Sequence, residues 1–432
     1  MAWDFSTDPG FQRELDWMDS FVREEIWPLE TLELDPRQLD RALAPLREQV
    51  RSRGLWAAHL PPEHGGCGFG QVRLGLMHEI LGTSPYAPPA FGCQAPDSGN
   101  AEILALAGTP AQKQRWLEPL LAGEMRSCFS MTEPGAGADP TLLSTTAVLD
   151  GNEWVIRGHK WFSSNASIAD FLIVMAVTEP DAGRHRRASM LIVPAGTPAV
   201  RILRDVPTMA HPTHSYGEYG GHAEILYEDA RVPADHLLGE RGAGFAIAQQ
   251  RLGPGRIHHC MRWLGQARRA LDMLCERATY RFVHGKVLGE HQTVQNWIAD
   301  SAAEIQAARL MTLHAAWVMD TRGAAAARKE IALIKFFGAK VLHDVIDRAI
   351  QAHGSLGYST DLPLEAMYRD ARAARIYDGP DEVHRVSAAR TILRDFAAPT
   401  DGVPTEHVPS RRARARDRHA DLLAPAAAAS PR

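Results

Sequence analysis

The chain has 432 residues, 45% of them apolar, with a formal charge of −5 from 47 basic and 52 acidic side chains. Such a length holds one large or two to three ordinary domains with a sizeable core. A charge this close to balance points away from nucleic acid as the main partner.

At the amino terminus MAWDFSTDPG carries acids and no apolar run, so no secretory leader is expected. Phe11, Leu15, Met18, Phe21 and Val22 recur at helical spacing, as do Leu39, Leu43, Leu46 and Val50. The first block, 1–125, therefore reads as helices. Its loop at 61–70, PPEHGGCGFG, is Gly-rich but lacks the Lys-Ser/Thr of a phosphate-binding loop, and no strand clearly precedes it. It reads as a connector between helices, with a phosphate cradle as the alternative.

The second block, 126–238, is richer in β-branched and aromatic residues. Strands are expected at 145–149, 153–156, 171–177, 190–193 and 223–227, with turn signals at Asp150, Gly151 and Asn152 and at 180–183. Short strands without intervening helices suggest an antiparallel barrel or sandwich. The block opens on CFSMTEPGAGADP, whose small residues let a ligand approach the backbone and whose Thr132 offers a hydroxyl. A polar-aromatic cluster, HKWFSSNAS, follows at 159–167. Each segment alone also reads as an ordinary turn.

The third block, 239–396, is helical again. Ile257, Met261, Leu264, Leu271 and Leu274 mark one helix; Val294, Trp297, Ile298, Ser301, Ile305 and Ala308 a second; Ile331, Ile334, Gly338, Val341, Leu342, Val345 and Ala349 a third. These stripes are core, and their length implies an antiparallel bundle. The rest, 397–432, is rich in Ala, Pro and Arg and is expected to lack order. Five scattered cysteines, odd in number and without CxxC spacing, read as free thiols in a cytoplasmic protein with no membrane span.

One stretch in the bundle carries candidate chemistry: ARAARIYDGPDEVHRVSAAR, 371–390. Ile376 and Tyr377 lead into Asp378, then Gly379 and Pro380 start a helix with Val383, Val386 and Ala389 on one face. Asp381 and Glu382 fall where the helix dipole favours acids. Asp378 has two readings. It is an N-cap on a surface turn, or a carboxylate desolvated against Ile376 and Tyr377, with its pKa raised toward that of a working base. His211 with His214, and the pair His258 and His259, lack a Cys or Glu at convincing spacing, so no metal is expected.

Taken together, TEPGAGAD at 132–139, KWFSS at 160–164, the Arg281 to Gln292 spacing, QAHGSLGY at 351–358 and IYDGPDEVHR at 376–385 resemble the acyl-CoA dehydrogenase family. The resemblance spans nearly all of 5–396. It implies an α+β fold: an N-terminal helical domain, a middle antiparallel β-barrel domain and a C-terminal four-helix bundle. It also implies non-covalent FAD, a homodimer or homotetramer, and electron-transfer flavoprotein as redox partner. Phe129, Met131, Thr132, Trp161 and Ser163 match positions along the flavin ring. Gly137 and Ala138 match the turn near the pyrophosphate and CoA, with Ala138 where the family often has Ser. Arg281, Gln292, Gln351, His353, Gly354, Ser355 and Glu382 match positions that reach FAD, several of them in a neighbouring subunit. His284 and Ser355 depart from the usual residues. Arg256, Tyr377 and Gly379 match substrate-side positions. Asp378 stands where most members have Glu, a side chain shorter by about 1.5 Å of reach. The wording DGPDEVH with GRIHHCMR resembles a branch fused in some animals to a kinase-like domain and associated with long, branched or 4-hydroxy acyl chains.

The resemblance implies that Asp378 takes an α-proton of an acyl-CoA while flavin accepts the β-hydride. The thioester carbonyl would be held by the Asp378 N–H and a ribityl hydroxyl. Two other readings stay open: a flavin oxidase on the same scaffold, like nitroalkane oxidase, and a non-catalytic member that binds flavin or CoA. His211, His214, His258 and His259 are a further candidate for the lining of the acyl pocket.

Overall fold

The computed structural model describes residues 5–212, 221–400 and 402–423. His214 lies outside them. The chain divides into two units, Met1–Ala388 and Ala389–Arg432.

The first unit begins with helices whose starts are written in the sequence. Asp8 caps α1 (Pro9–Phe21) by accepting from the Phe11 N–H, with Pro9 in the first turn. Asp35 and Gln38 form a capping box on α2 (Pro36–Ser52). Phe11, Leu15, Met18, Phe21, Leu43, Leu46 and Val50 share one core with Leu74, Met77 and Leu81 of α3 (Gln71–Leu81). The Gly-rich loop before α3 is a connector holding a short helical turn, Pro62–His64. Helix α4 (Asp97–Ala107) leads toward the sheet.

Eight strands form one sheet: β1 (Ser127–Ser130), β2 (Thr146–Asp150), β3 (Glu153–Ser164), β4 (Phe171–Val177), β5 (Ala188–Pro194), β6 (Val200–Asp205), β7 (His222–Pro233) and β8 (Leu237–Leu238). Their order is β6-β7-β3-β1-β4-β5-β8, with β2 also between β3 and β4. Pairing is antiparallel except that β1 and β2 run parallel to β4, through Phe129↔Ile173 and Thr146↔Val177. The purely antiparallel expectation is corrected there. Strand β1 arrives from the helical block and not through a hairpin, so nothing forces it to oppose its neighbour. Strand β4 is buried on both faces. Phe171, Ile173 and Met175 meet Ile103, Leu104 and Trp116 of the helical block, while Leu172, Val174 and Ala176 join Trp154, Ile156, Ile225 and Tyr227.

The bundle is built from α5 (Gly244–Tyr280), α6 (Gln292–Arg322), α7 (Arg328–His353), α8 (Leu364–Ala373) and α9 (Asp381–Leu393). A small hairpin, β9 (Phe282–Val283) with β10 (Lys286–Val287), joins α5 to α6. Ile257, Leu264, Ile305, Ile331, Ile334, Val341, Leu342 and Val345 form its core, each large side chain contributing roughly 1.5–3 kcal/mol by burial.

Helix α9 differs from its apolar pattern. Val383 and Val386 are exposed, at 42% and 47%, while Asp381, His384 and Ala388 are buried. Polar partners turn the helix over: Arg375 holds Asp381 at 2.9 Å, and His384 donates to the Asp378 carbonyl at 3.1 Å.

The second unit, expected to lack order, contains α10 (Val408–Arg418) and a final turn, Ala420–Leu423. None of the α10 side chains is buried. Pro409 in the first turn and an Ala/Arg run supply helix propensity where apolar content is low. Among the described residues no helix is long and apolar enough to cross a membrane. All five cysteines are free.

Candidate active site

Asp378 sits in a turn between α8 and α9, with a left-handed backbone at φ +55°, and Gly379 follows at φ +99°. A left-handed conformation is costly for a residue with a Cβ, so the turn must be held from outside. Four bonds hold it. Arg256 Nε donates to the Asp378 carbonyl at 2.9 Å and His384 Nε2 to the same oxygen at 3.1 Å. Lys335 Nζ donates to Ala374 O at 2.7 Å and Gly379 O at 3.3 Å. The Asp378 N–H has no hydrogen-bond partner among the described residues.

The N-cap reading is excluded, because α9 begins at Asp381 and the Asp378 carboxylate points elsewhere. It meets His259 Nε2 at 3.3 Å and lines a small cavity. Behind it, Trp263 Nε1 donates to the Tyr377 hydroxyl at 2.7 Å, and burial pushes that phenol up from its ordinary value. Ile376, expected to shield the acid, is 58% exposed.

The pKa expectation is corrected in direction. Burial raises the Asp378 carboxyl, but the His259 hydrogen bond and the Arg251 and Arg256 guanidiniums outweigh it and hold the group well below the usual carboxylate range. His259 is lowered by burial, against the pull of Asp378. The pair is therefore a carboxylate and a neutral imidazole donating to it.

The cavity is polar on the side away from the turn. It is lined by His59, His78, Glu102, Arg251, His258 and Arg262 besides His259 and Asp378. His59 Nε2 donates to Ser98 O at 3.2 Å and His258 Nε2 to the Gln71 side chain at 3.0 Å, while Arg262 Nε donates to His78 Nδ1 at 3.1 Å. Burial lowers all three histidines, His59 to about 4, and lifts Glu102 to about 7 despite Arg251. Ser98 also lines a second cavity of about 310 Å³ beside α2 and α4, so the two spaces adjoin.

The sheet brings a second surface to this place. Phe129, Met131 and Thr132 are half-buried on β1 and its extension, with Ser130 turned inward between them, and Phe129 and Met131 pack against the same apolar cluster. Trp161 N donates to Thr132 O at 3.0 Å. Arg251, on the cavity wall, lies 5.5 Å over the Phe129 ring and so joins this strip to Asp378. The strip is held from behind by a buried pair. Lys160 Nζ donates to Met131 O and to Glu133 Oε1, both at 2.8 Å. Glu133 accepts further from Ser144 and Thr145. Burial lowers Lys160 to about 8; it also raises Glu133, but Lys160 and these donors bring Glu133 down to about 2.

Ser163 does not face the strip. A register shift between Lys160 and Ser163, with Phe162 at φ +49°, turns its hydroxyl into the core, where it bonds Ser130 at 2.9 Å. Phe162, 44% exposed, and Ser164 take the outer positions. Gly137 and Ala138 are exposed in the turn beyond Glu133. Arg281, Gln292, Gln351, Gly354, Ser355 and Glu382 are exposed and do not line the Asp378 cavity. His353 is buried, its Nδ1 donating to Ala349 O at 2.8 Å. Arg256, expected on the substrate side, binds the backbone of Asp378. Among the described residues no group of three or more His, Cys, Asp or Glu is placed to hold a metal.

Sequence reasoning missed Lys335, Arg251, Glu102 and His384. Lys335 had a signal: it stands in the apolar stripe of α7, between Ile331 and Gly338. The others meet only through the fold.

Helical block, mixed sheet and helical bundle thus meet around one carboxylate and one half-buried strip. Family models for the N-terminal, middle and C-terminal domains of acyl-CoA dehydrogenase match residues 12–124, 128–220 and 242–393. The Mycobacterium tuberculosis protein named Probable acyl-CoA dehydrogenase FadE2 is 47% identical over 352 residues, 81% of this chain and 84% of that one. Human acyl-CoA dehydrogenase family member 11 is 45% identical over 356 residues, 82% of this chain but only 45% of that longer protein. Butyryl-CoA dehydrogenase from Megasphaera elsdenii superposes with a TM-score of 0.78 at 28% identity, over 91% of this chain and 100% of its own. The chain belongs to the acyl-CoA dehydrogenase family.

Proposed function

We propose that the protein is an FAD-dependent dehydrogenase of acyl-CoA thioesters in which Asp378 removes the α-proton. The observation that carries this reading is the ionised Asp378 carboxylate on a cavity wall that continues, through Arg251, to the Phe129 strip. The chemistry of the strip fits an isoalloxazine: three half-buried residues of one short segment, Phe129, Met131 and Thr132, bring an aromatic ring, a thioether and a hydroxyl. FAD bound there would supply the acceptor for the β-hydride.

The chain's own residues do the rest. The free Asp378 N–H is a donor for the thioester oxygen, which acidifies the α-carbon. A carboxylate held at low pKa is a weak base, so that acidification carries much of the work. His259 keeps the carboxylate ionised and aimed. Electron-transfer flavoprotein as oxidant, assembly into dimers or tetramers and a cytoplasmic location belong to the same reading. Exposed Phe282 and Ile376, at 62% and 58%, with the outer face of α9, support self-association.

Anaerobic mixing with a CoA thioester series, followed by flavin absorbance, tests the proposal. Bleaching by acyl-CoA with slow reoxidation in air is expected. Rapid reoxidation by oxygen favours an oxidase, and protein that takes up no FAD overturns the reading.

A further inference from the structure

Lys335 is fully buried in the bundle, and its bonds to the turn carry none of the proton or hydride chemistry above. Its ammonium has no carboxylate within 4.0 Å among the described residues. Taking an ammonium out of water costs several kcal/mol unless good partners compensate. The partners here are two carbonyls, Ala374 O and Gly379 O, at 2.7 and 3.3 Å. They mark the two ends of the turn that carries Asp378. Two aromatic rings complete the surroundings, Trp263 at 5.1 Å and Tyr377 at 5.3 Å from the ammonium. Tyr377 directly precedes the acid and is tied to Trp263 through its hydroxyl.

We propose that Lys335 is a positioning residue that cross-links this turn, fixing the left-handed Asp378 so that a side chain one methylene shorter than Glu reaches the α-carbon. The inference rests on Asp378 being the base. Arg256 and His384 hold the Asp378 carbonyl from one side. Lys335 spans the turn from the other, bonding one carbonyl on each flank of Asp378, and the Arg375–Asp381 pair closes the same turn at its base. An Asp has little slack: a shift of about 1 Å at its Cα moves the carboxylate out of reach, and such a displacement costs on the order of a hundredfold in rate.

The test is Lys335→Met in the FAD-loaded protein. The expected result is unchanged FAD content and an acyl-CoA Kd within about threefold. Flavin reduction slows by about 30- to 100-fold, and the α-deuterium isotope effect rises because proton transfer becomes limiting. A merely structural role would weaken binding or FAD retention and leave the isotope effect alone. That result, or reduction within about threefold of the unmodified protein, overturns the proposal. Should Lys335→Met not fold, Lys335→Gln keeps a neutral donor, and an intermediate rate with the same rise in isotope effect is expected; an unaltered isotope effect overturns it. Asp378→Asn separates the layers. If it is reduced normally, the base assignment itself is wrong. If it is inert while Lys335→Met is normal, only the positioning role falls.

Discussion

Replacing Asp378 with Glu restores the length usual in the family, and the structure says that it slows this enzyme. The extra methylene adds about 1.5 Å of reach. The backbone cannot retreat to absorb it, because Arg256 and His384 bond the carbonyl of residue 378 itself and Lys335 bonds the carbonyls of Ala374 and Gly379. The carboxylate therefore overshoots the position set by His259, now 3.3 Å away. A misplacement of about 1 Å costs on the order of a hundredfold, about 2.7 kcal/mol of barrier. The assay is anaerobic rapid mixing with saturating acyl-CoA, at matched FAD content. A rate about one-hundredth of the unmodified protein is expected. A rate equal to it or faster refutes the argument that the turn is built for Asp.

Other consequences follow from the same contacts. Gly379→Ala places a Cβ at φ +99°, 2.8 Å from His384 Nε2. Strain alone costs about 1–2 kcal/mol, and a lower urea midpoint with slower flavin reduction is expected; an unchanged midpoint contradicts it. Lys160→Met leaves Glu133 buried without its cation. A loss of roughly 3–5 kcal/mol and weaker FAD uptake, read by denaturation and by titration, are expected, and unaltered values contradict the account. His59 and His384 have pKa values lowered to about 4. Their unfolded forms bind protons first, so stability falls as the pH drops, by about 2 kcal/mol per histidine between pH 7 and 5. Equilibrium unfolding that is flat over that range contradicts their burial as neutral groups.

The core was largely legible. Stripes such as Leu43, Leu46 and Val50, or Ile331, Ile334 and Val341, are buried as their periodicity predicts. Strands 171–177 and 190–193 were visible because both faces are apolar. Strand β1 was not, since four residues inside a Gly-rich motif carry no alternation. Within the site, Asp378, Gly379 and Tyr377 stood out because turn residues punctuate the sequence there. Of the polar wall only His258 and His259 were candidates, because His59, Glu102 and Arg251 come from three separated segments that only the fold brings together. The inward turn of the Ser163 hydroxyl was not legible either, because it follows from the register shift beside Phe162. The direction of the Asp378 pKa was misjudged for the same reason as the wall. Burial was inferred from its neighbours in sequence, while the groups that outweigh burial lie over a hundred residues away.

The central claim is that Asp378 takes the proton. Asp378→Asn keeps the size and the backbone bonds but removes the accepting charge. FAD-loaded Asp378→Asn, mixed anaerobically with a CoA thioester that bleaches the unmodified protein, is predicted to bind it and stay oxidised. Bleaching at the unmodified rate contradicts the account.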